Sequence, residues 1–355
     1  SDSASQYTYD LRQQVLSQTD ARGVTSTYAY DEQGNRIHET RAIGTAQEYT
    51  TTTTYTPDFD KPATITEPST GNPGQHKVTS FSYDAAGNPL TRTETGYNAS
   101  GAISRTTTTV YDSLGRIVSI DGPRNDVNDI TTLSYYDNTP GQGLNRGFLR
   151  SVTNAAGHQV VFSDYNNQGL PGQITEANGQ TTLLAYNAQG RLIERQSGGR
   201  VTQYRYNDAG TLMSVILPCN RTHTYSYNAA GQVAQVTDQI GNAISYDYDS
   251  EGRVQRREVR DPEGNLTTAL SAEYDQAGRI LKLTHPDGSN EQRSYDQTGN
   301  LTELTNGLGQ TSAYSYDALN HMSAADEPTG NVSFRYDLHG NLSAVTDAKG
   351  RTTQY

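Results

Sequence analysis

The sequence predicts an all-β protein built from tandem β-hairpins, and three observations lead to this prediction. A unit that starts with tyrosine recurs about every 21 residues, and each unit contains two turn signals. The segments between the turns are short, alternate in polarity and are rich in β-branched residues. Repeats of this kind stack on their neighbours, and strand twist makes so broad a sheet coil. We therefore expect a long, spiralling antiparallel sheet with almost no helix.

The repeat unit is Tyr-Asp/Asn-x-x-Gly-x-x-apolar or a near variant. In the C-terminal half the starts are 20 or 21 residues apart, with one gap of 26 residues between Tyr248 and Tyr274. Such a regular period is the signature of a repeat architecture. The starts in this half are Tyr165, Tyr186, Tyr206, Tyr227, Tyr248, Tyr274, Tyr295, Tyr316 and Tyr336.

The N-terminal half repeats more loosely, which indicates insertions in its turns. Residues 138–150 are irregular and contain extra Gly and Pro, so we predict an exposed loop there. The predicted organisation is one array over residues 1–355, looser over 1–164 and regular over 165–355. Both ends fall inside repeats, so we expect the chain to be a piece of a larger protein. The looser starts are Tyr9, Tyr30, Tyr83, Tyr111 and Tyr136, with a degenerate copy around Tyr55.

Each unit carries two turns of related chemistry. The first turn is Asp/Asn-x-x-Gly, as in Asp-Ser-Glu-Gly at residues 249–252. The second turn follows about ten residues after the first turn of its unit; in the unit that starts at Tyr227 it is Asp-Gln-Ile-Gly at residues 238–241. Asp at the first position accepts backbone hydrogen bonds, and Gly at the fourth adopts a positive φ without strain. Two strands and two turns in each unit predict a hairpin array.

The aromatic composition is unusual, with 25 Tyr, 5 Phe and no Trp, and only 32% of residues are hydrophobic. Tyrosines often occur as Tyr-x-Tyr, for example at residues 204 and 206, and residues i and i+2 lie on the same face of a strand. Stacked hairpins should line these rings into ladders across the sheet. With so few aliphatic residues, we expect a curved wall with two wettable faces rather than a thick apolar core.

Charge and composition exclude several classes of protein. The chain has 27 Lys and Arg against 39 Asp and Glu, a net charge of −12, which argues against nucleic acid or an anionic membrane as the main partner. No stretch is long and apolar enough for a membrane-spanning helix, and no signal peptide is visible in this sequence. Cys219 is the single cysteine, so internal disulfides and cysteine-based zinc clusters are excluded.

No residue pattern predicts a catalytic, cofactor-binding or metal site, and no cofactor is expected. We interpret Cys219 as a bystander thiol in a second turn. The histidines share no repeat position and form no i, i+4 pair, so we expect surface or turn histidines; they are His38, His76, His158, His223, His285, His321 and His339. The aspartates that follow the motif tyrosine are interpreted as turn formers; they are Asp10, Asp31, Asp84, Asp112, Asp249, Asp275, Asp296, Asp317 and Asp337.

The units resemble the YD repeats of Rhs proteins, which are related to shell components of bacterial Tc toxins, wall-associated toxins and animal teneurins. The resemblance covers essentially the whole chain and is carried by units such as residues 111–117, 186–192 and 295–301. It implies that the spiralling sheet is part of a hollow, cocoon-like shell. The Asp-Pro-x-Gly-Leu segment that marks autoproteolytic release in the family is absent. Residues 261–265, Asp-Pro-Glu-Gly-Asn, only approach it, and we interpret them as a plain turn.

The resemblance implies a function without catalysis. The chain would be a structural shell segment of an Rhs-type polymorphic toxin that encapsulates a C-terminal toxin domain of the same polypeptide until delivery. Secretion-system or Tc-type components would be further partners, as in type VI secretion and interbacterial competition. The protein would be made in the bacterial cytoplasm and then secreted or delivered to target cells. The alternative is an extracellular carbohydrate-binding or adhesion module, and an enzyme is the least favoured class.

Overall fold

The computed structural model describes residues 6–20, 23–44, 48–68, 76–98, 101–124, 126–317, 320–337 and 340–355. Over these residues the chain forms 31 β-strands in an antiparallel sheet, with two short 3₁₀ segments, Pro140–Asn145 and Pro218–Asn220. The predicted all-β class is confirmed. No helix in this part of the chain is both long and apolar enough to cross a bilayer.

The first strands are β1 Gln6–Tyr9, β2 Val15–Thr19, β3 Thr25–Tyr30, β4 Arg36–Arg41, β5 Tyr49–Tyr55, β6 Pro62–Pro68, β7 His76–Tyr83, β8 Pro89–Asn98 and β9 Gly101–Tyr111. The middle strands are β10 Ile117–Asp121, β11 Thr131–Tyr135, β12 Leu149–Thr153, β13 Gln159–Ser163, β14 Gln173–Thr175, β15 Thr181–Tyr186, β16 Leu192–Ser197, β17 Arg200–Tyr206, β18 Leu212–Leu217, β19 Arg221–Tyr227, β20 Val233–Asp238, β21 Ala243–Tyr248 and β22 Val254–Arg260. The last strands are β23 Leu266–Tyr274, β24 Ile280–Thr284, β25 Asn290–Tyr295, β26 Leu301–Thr305, β27 Thr311–Tyr316, β28 Met322–Glu327, β29 Gly330–Tyr336, β30 Leu342–Thr346 and β31 Thr352–Gln354.

Two compact units divide the chain. The first unit combines Ser1–Thr108 with Ser271–Tyr355, and the second is Thr109–Leu270. Within each unit a strand pairs antiparallel with the next strand along the chain, as β3 does with β4 and β19 does with β20. The first unit therefore brings together segments from the two ends of the sequence.

Many motif turns and several second turns share one hydrogen-bonding pattern. In the motif turn, the Asp249 amide donates to the Arg253 carbonyl at 2.9 Å, and the Gly252 amide donates to the Asp249 carbonyl at 3.0 Å. In the second turn, Asp238 and Gly241 make the corresponding bonds at 2.9 and 3.2 Å. Gly252 has a φ of 80°, in the left-handed region that favours glycine. The turn assignment made from the sequence is confirmed at these positions.

In many hairpins a β-bulge lies at the motif tyrosine that ends the first strand. Ser226 pairs with Gln235, but Tyr227, the next residue, pairs with Val233, so one strand carries an extra residue. One sequence assignment was wrong by a single position. Tyr135, rather than Tyr136, occupies the bulge, opposite Leu149. The two adjacent tyrosines cannot be distinguished by spacing alone.

The two faces of the sheet differ in exposure. Along β27, exposed residues alternate with half-buried ones, and Tyr314 and Tyr316 are half-buried. We call the face that carries the first residue of each Tyr-x-Tyr or Phe-x-Tyr pair the tyrosine face. The most buried apolar residue is Ala325, 3% exposed, which lies opposite Tyr314 on this face. None of the described residues has a large side chain that is fully buried, in agreement with the prediction that a thick core is lacking.

The predicted loop at residues 138–150 is largely exposed and contains the 3₁₀ segment Pro140–Asn145. Its end is attached to the sheet by an aromatic contact, because Phe148 stacks on Tyr165 with ring centroids 4.7 Å apart. The side-chain oxygen of Asn145 also accepts a bond of 3.0 Å from the Tyr165 amide. The loop is therefore anchored at its C-terminal end.

Candidate functional site

The aspartates of the motif turns use their carboxylates to stabilise the turns. In the turn that starts at Asp84, one carboxylate oxygen accepts the amides of Ala86 and Asn88, and the other accepts the Asn88 side chain at 2.9 Å. These hydrogen bonds hold the pKa of Asp84 below its ordinary value, and the bond from the Asn88 side chain has the largest effect on it. Both oxygens of this ionised carboxylate thus accept hydrogen bonds within the turn.

The histidines lie at separate places in the sheet. His285 lies 3.1 Å from Glu291, and His321 lies 3.1 Å from Asp317 while its ring stacks on Tyr336. His38 contacts Thr52, whereas His339 lies outside the described residues. Among the residues that the structure describes, no group of three or more His, Cys, Asp or Glu is arranged to hold a metal ion.

Cys219 is exposed and lies in the 3₁₀ segment of a second turn, with a φ of 66°. Residues 261–265 also form an ordinary turn. The amides of Asp261 and Gly264 make the two bonds found in the other turns, both 3.0 Å long, and the Asn265 side chain donates to the Asp261 carboxylate at 2.9 Å. The Asp-Pro dipeptide therefore lies in a turn of the repeat, as the sequence predicted.

The sequence did not reveal the partner of the motif tyrosine hydroxyl. Tyr227 donates to the Leu212 carbonyl at 2.7 Å, and Leu212 lies opposite Tyr206, the preceding motif tyrosine. The pattern links one repeat to the previous one along the array. The same kind of bond joins Tyr30 to Val15, Tyr55 to Arg36, Tyr83 to Pro62, Tyr135 to Ile117, Tyr165 to Leu149, Tyr206 to Leu192, Tyr248 to Val233, Tyr295 to Ile280, Tyr316 to Leu301 and Tyr336 to Met322.

The hydroxyl requirement explains why tyrosine, rather than phenylalanine, leads the repeat. Burial raises the pKa of motif tyrosines such as Tyr83 and Tyr186, so the hydroxyl keeps its proton and remains a donor. The excess of 25 Tyr over 5 Phe was the available signal. A hydroxyl at a fixed repeat position indicates a repeated acceptor, but the sequence does not show which backbone carbonyl it is.

Arginines at the end of some motif turns also join neighbouring repeats. Arg279 contacts the Asp275 carboxylate of its own turn at 2.6 Å and donates to the Asp296 carbonyl of the next turn at 2.9 Å. Its guanidinium lies 4.5 Å from the centre of the Tyr295 ring. One side chain thus combines an ion pair, a hydrogen bond and a cation–π contact between two repeats.

A charged cluster occupies the tyrosine face of β6–β9 in the first unit. Lys77 lies 3.2 Å from Glu67 and 3.4 Å from Glu94, and Glu94 also contacts Arg92 at 2.8 Å and Arg105 at 3.8 Å. Burial alone would raise the pKa of Glu94, but the Arg92 hydrogen bond and the three surrounding cations hold it below its ordinary value. Glu94 is therefore ionised at the centre of this cluster.

Comparison with known families identifies this architecture. A family model described as Teneurin YD-shell matches residues 128–266 and 261–355, which together span 228 of the 355 residues, since 355 − 128 + 1 = 228. The chain belongs to the teneurin YD-shell family. A model described as RHS Repeat also matches residues 9–46. The YD-shell match confirms the family resemblance inferred from the tyrosine-led units.

Solved structures show that the YD-shell chain shares its fold with Tc toxin components. One similar structure, of TcdB2-TccC3-TEV, has a TM-score of 0.57 and 17% identity over 96% of this chain and 22% of that chain. Another, of TcdB2-TccC3 without its hypervariable C-terminal region, has a TM-score of 0.62 and 14% identity over 97% and 23%. The Photorhabdus luminescens Tc holotoxin pore has a TM-score of 0.57 and 14% identity over 97% and 24%.

This YD-shell chain therefore spans about a quarter or less of each of these solved chains. No curated protein matches the sequence significantly. At these identities the structures establish the fold, and the family-model match supports a structural shell role.

Proposed function

We propose that the chain is a non-catalytic wall segment of a larger bacterial Rhs-type or Tc-type toxin, and that the wall encloses a toxin domain located C-terminal to it on the same polypeptide. The single observation that carries the proposal is the YD-shell match over 228 residues, since 355 − 128 + 1 = 228. Delivery to a target cell would follow secretion of the assembled toxin.

The surface chemistry of the wall supports enclosure. Both faces carry hydroxyl, amide and charged groups, and none of the described residues has a large side chain that is fully buried. A polar shell surface offers no large apolar interface to an enclosed polypeptide, so the polypeptide binds it weakly and can be released. The net charge of −12 adds a long-range field that acts on charged cargo.

The names of the solved relatives supply a second line of support. One is described as lacking a hypervariable C-terminal region, and others carry TEV or Cdc42 as an additional component. Those relatives therefore contain TcdB2-TccC3 with an added component or without a variable C-terminal region. We transfer this arrangement to the present chain as part of the proposal.

Protease protection of the complete parent protein tests the proposal. The parent is produced with everything that its gene encodes downstream of the repeats, and cleavage of that region is compared with cleavage of the same region produced alone. We expect strong protection in the parent, and electron micrographs that show internal density. Equal cleavage rates, or a gene without any domain downstream, would contradict enclosure. Saturable binding to a glycan array by the same protein would instead favour the adhesion alternative.

A further inference from the structure

Motif turns in the C-terminal part of the first unit face the tyrosine face of its N-terminal strands. The turns after β23 and β25 and the strands β2–β5 together line a cavity of about 450 Å³. Ser26, Tyr28 and Glu39 line it from the sheet, and Gln276, Ala277 and Thr298 line it from the turns. Residues about 250 positions apart in the sequence, such as Ser26 and Ala277, thus meet across one space.

A second contact of the same type lies further along the sheet. A Cβ atom built on Gly340 would clash with Nη1 of Arg105, a residue of β9. Gly340 is the glycine of the motif turn after β29, and Arg105 lies on the tyrosine face opposite Glu94. The guanidinium therefore occupies the space above the glycine that any other side chain would fill.

The two contacts are in register. The turns after β23 and β25 meet β2–β5, and the turn after β29 meets β9. Moving six strands along the later part of the array, from β23 to β29, therefore moves the contact by about six strands along the earlier part. The offset is about 20 strands in both places, or about ten hairpins.

We propose that the tyrosine face of β2–β9 is a docking surface for Asp-x-x-Gly motif turns of the same chain, one turn for each hairpin, with an offset of about ten hairpins. The occupant is defined by its chemistry: a compact turn with a positive-φ glycine that allows a cation from the sheet to approach its backbone. The Arg105 guanidinium fills the space beside the glycine, so only a residue without a side chain fits there. Glu94, on the neighbouring strand, contacts Arg105 at 3.8 Å and thereby orients it. This inference rests on the contacts of the first unit and does not depend on the enclosure of a toxin.

Cross-linking tests the docking directly. In a Cys219→Ser background, Ser26→Cys and Ala277→Cys place two thiols on the walls of the cavity. We expect a short flexible bis-maleimide to join peptides that contain positions 26 and 277. The matched control pairs Ser26→Cys with Ala86→Cys, which occupies the same third turn position in residues 84–87 but lies four to five strands from β3, about 20 Å away. Equal yields for both pairs, or no link in the first, would overturn the proposal.

A mutant cycle tests the role of Arg105 separately. Gly340→Ala and Gly350→Ala both place a side chain at a φ near 80°, 79° and 76° respectively, but a Cβ on Gly350 meets nothing within 4 Å. We expect Gly340→Ala to lower the urea midpoint of unfolding more than Gly350→Ala does. Adding Arg105→Ala should make the two shifts nearly equal, because the 3.2 Å neighbour that remains, Cε1 of His321, can move by a few tenths of an ångström. Equal shifts with Arg105 present would refute its part in docking.

Discussion

The hydroxyl of Tyr248 donates a hydrogen bond of 2.7 Å to the backbone carbonyl of Val233. Val233 lies opposite Tyr227, the motif tyrosine of the preceding repeat, at a bulge where the regular ladder is disrupted. The hydroxyl of one repeat therefore satisfies the backbone of the previous one. Because this bond recurs along the array, the tyrosines couple neighbouring hairpins by hydrogen bonding as well as by packing.

Replacing Tyr248 with Phe should remove the hydroxyl and with it the hydrogen bond to the Val233 carbonyl. The expected cost is about 1 kcal/mol, typical of a lost intramolecular hydrogen bond. Urea unfolding measures the change. Tyr246→Phe is the matched control, because Tyr246 lies two residues earlier on the same strand and its hydroxyl has no described hydrogen bond. If both variants lost the same stability, the hydroxyl bond would not be the cause.

Gly231 tests the backbone requirement of the motif turn. Its φ is 78°, and a Cβ built there meets nothing within 4 Å, so only backbone strain opposes a side chain. Gly231→Val should destabilise the fold by about 1 kcal/mol or more, since a β-branched residue strongly disfavours this region. Gly231→Asn should cost less, because Asn tolerates the left-handed region and Asn320 occupies the same turn position with a φ of 63°. Thermal unfolding of the two variants checks the order, and a milder effect of Val would contradict it.

The motif aspartates make the fold sensitive to acid. The pKa of Asp84 is below its ordinary value of 3.8 in the folded chain, so its contribution to stability is present above that value and is lost as the pH falls through the folded pKa. Asp84→Asn should weaken the decrease in stability below about pH 4. Asn should preserve the turn, since Asn228 accepts the same two backbone amides at 3.0 and 2.9 Å. Urea midpoints measured across this pH range for both proteins provide the test, and parallel curves would argue against it.

Cys219 has a φ of 66° in an exposed turn, where a side chain is strained. Cys219→Gly should therefore stabilise the chain by about 0.5 kcal/mol, because relief of the left-handed strain exceeds the entropy cost of glycine. Cys219→Ser keeps the side chain and should leave stability nearly unchanged. Thermal unfolding distinguishes the two. Destabilisation by both substitutions would show that the thiol makes a contact of its own, against its interpretation as a bystander.

Local features of the fold could be predicted in detail. The alternation along β27 follows from the two-residue side-chain period of a strand. The turns at residues 249–252 and 238–241 follow from hydrogen bonding and φ preferences within a few residues. The role of Asp84 was predictable for the same reason. The sequence predicted Tyr136 as the motif tyrosine, whereas Tyr135 occupies that position in the structure. Local reasoning fails here because the bulge position depends on which residue pairs with Leu149 on the next strand.

By itself, the sequence determined the hairpin period, the turn chemistry and the absence of a thick core, since each depends on neighbouring residues or on composition. The tertiary structure alone decided that the Tyr248 hydroxyl reaches Val233 and that Arg105 meets Gly340. The first contact crosses from one repeat to the previous one, and the second joins residues 235 positions apart, since 340 − 105 = 235. A repeat with a nearly constant period carries no local signal of which distant copy it will meet, because the accumulated twist of many strands sets that register.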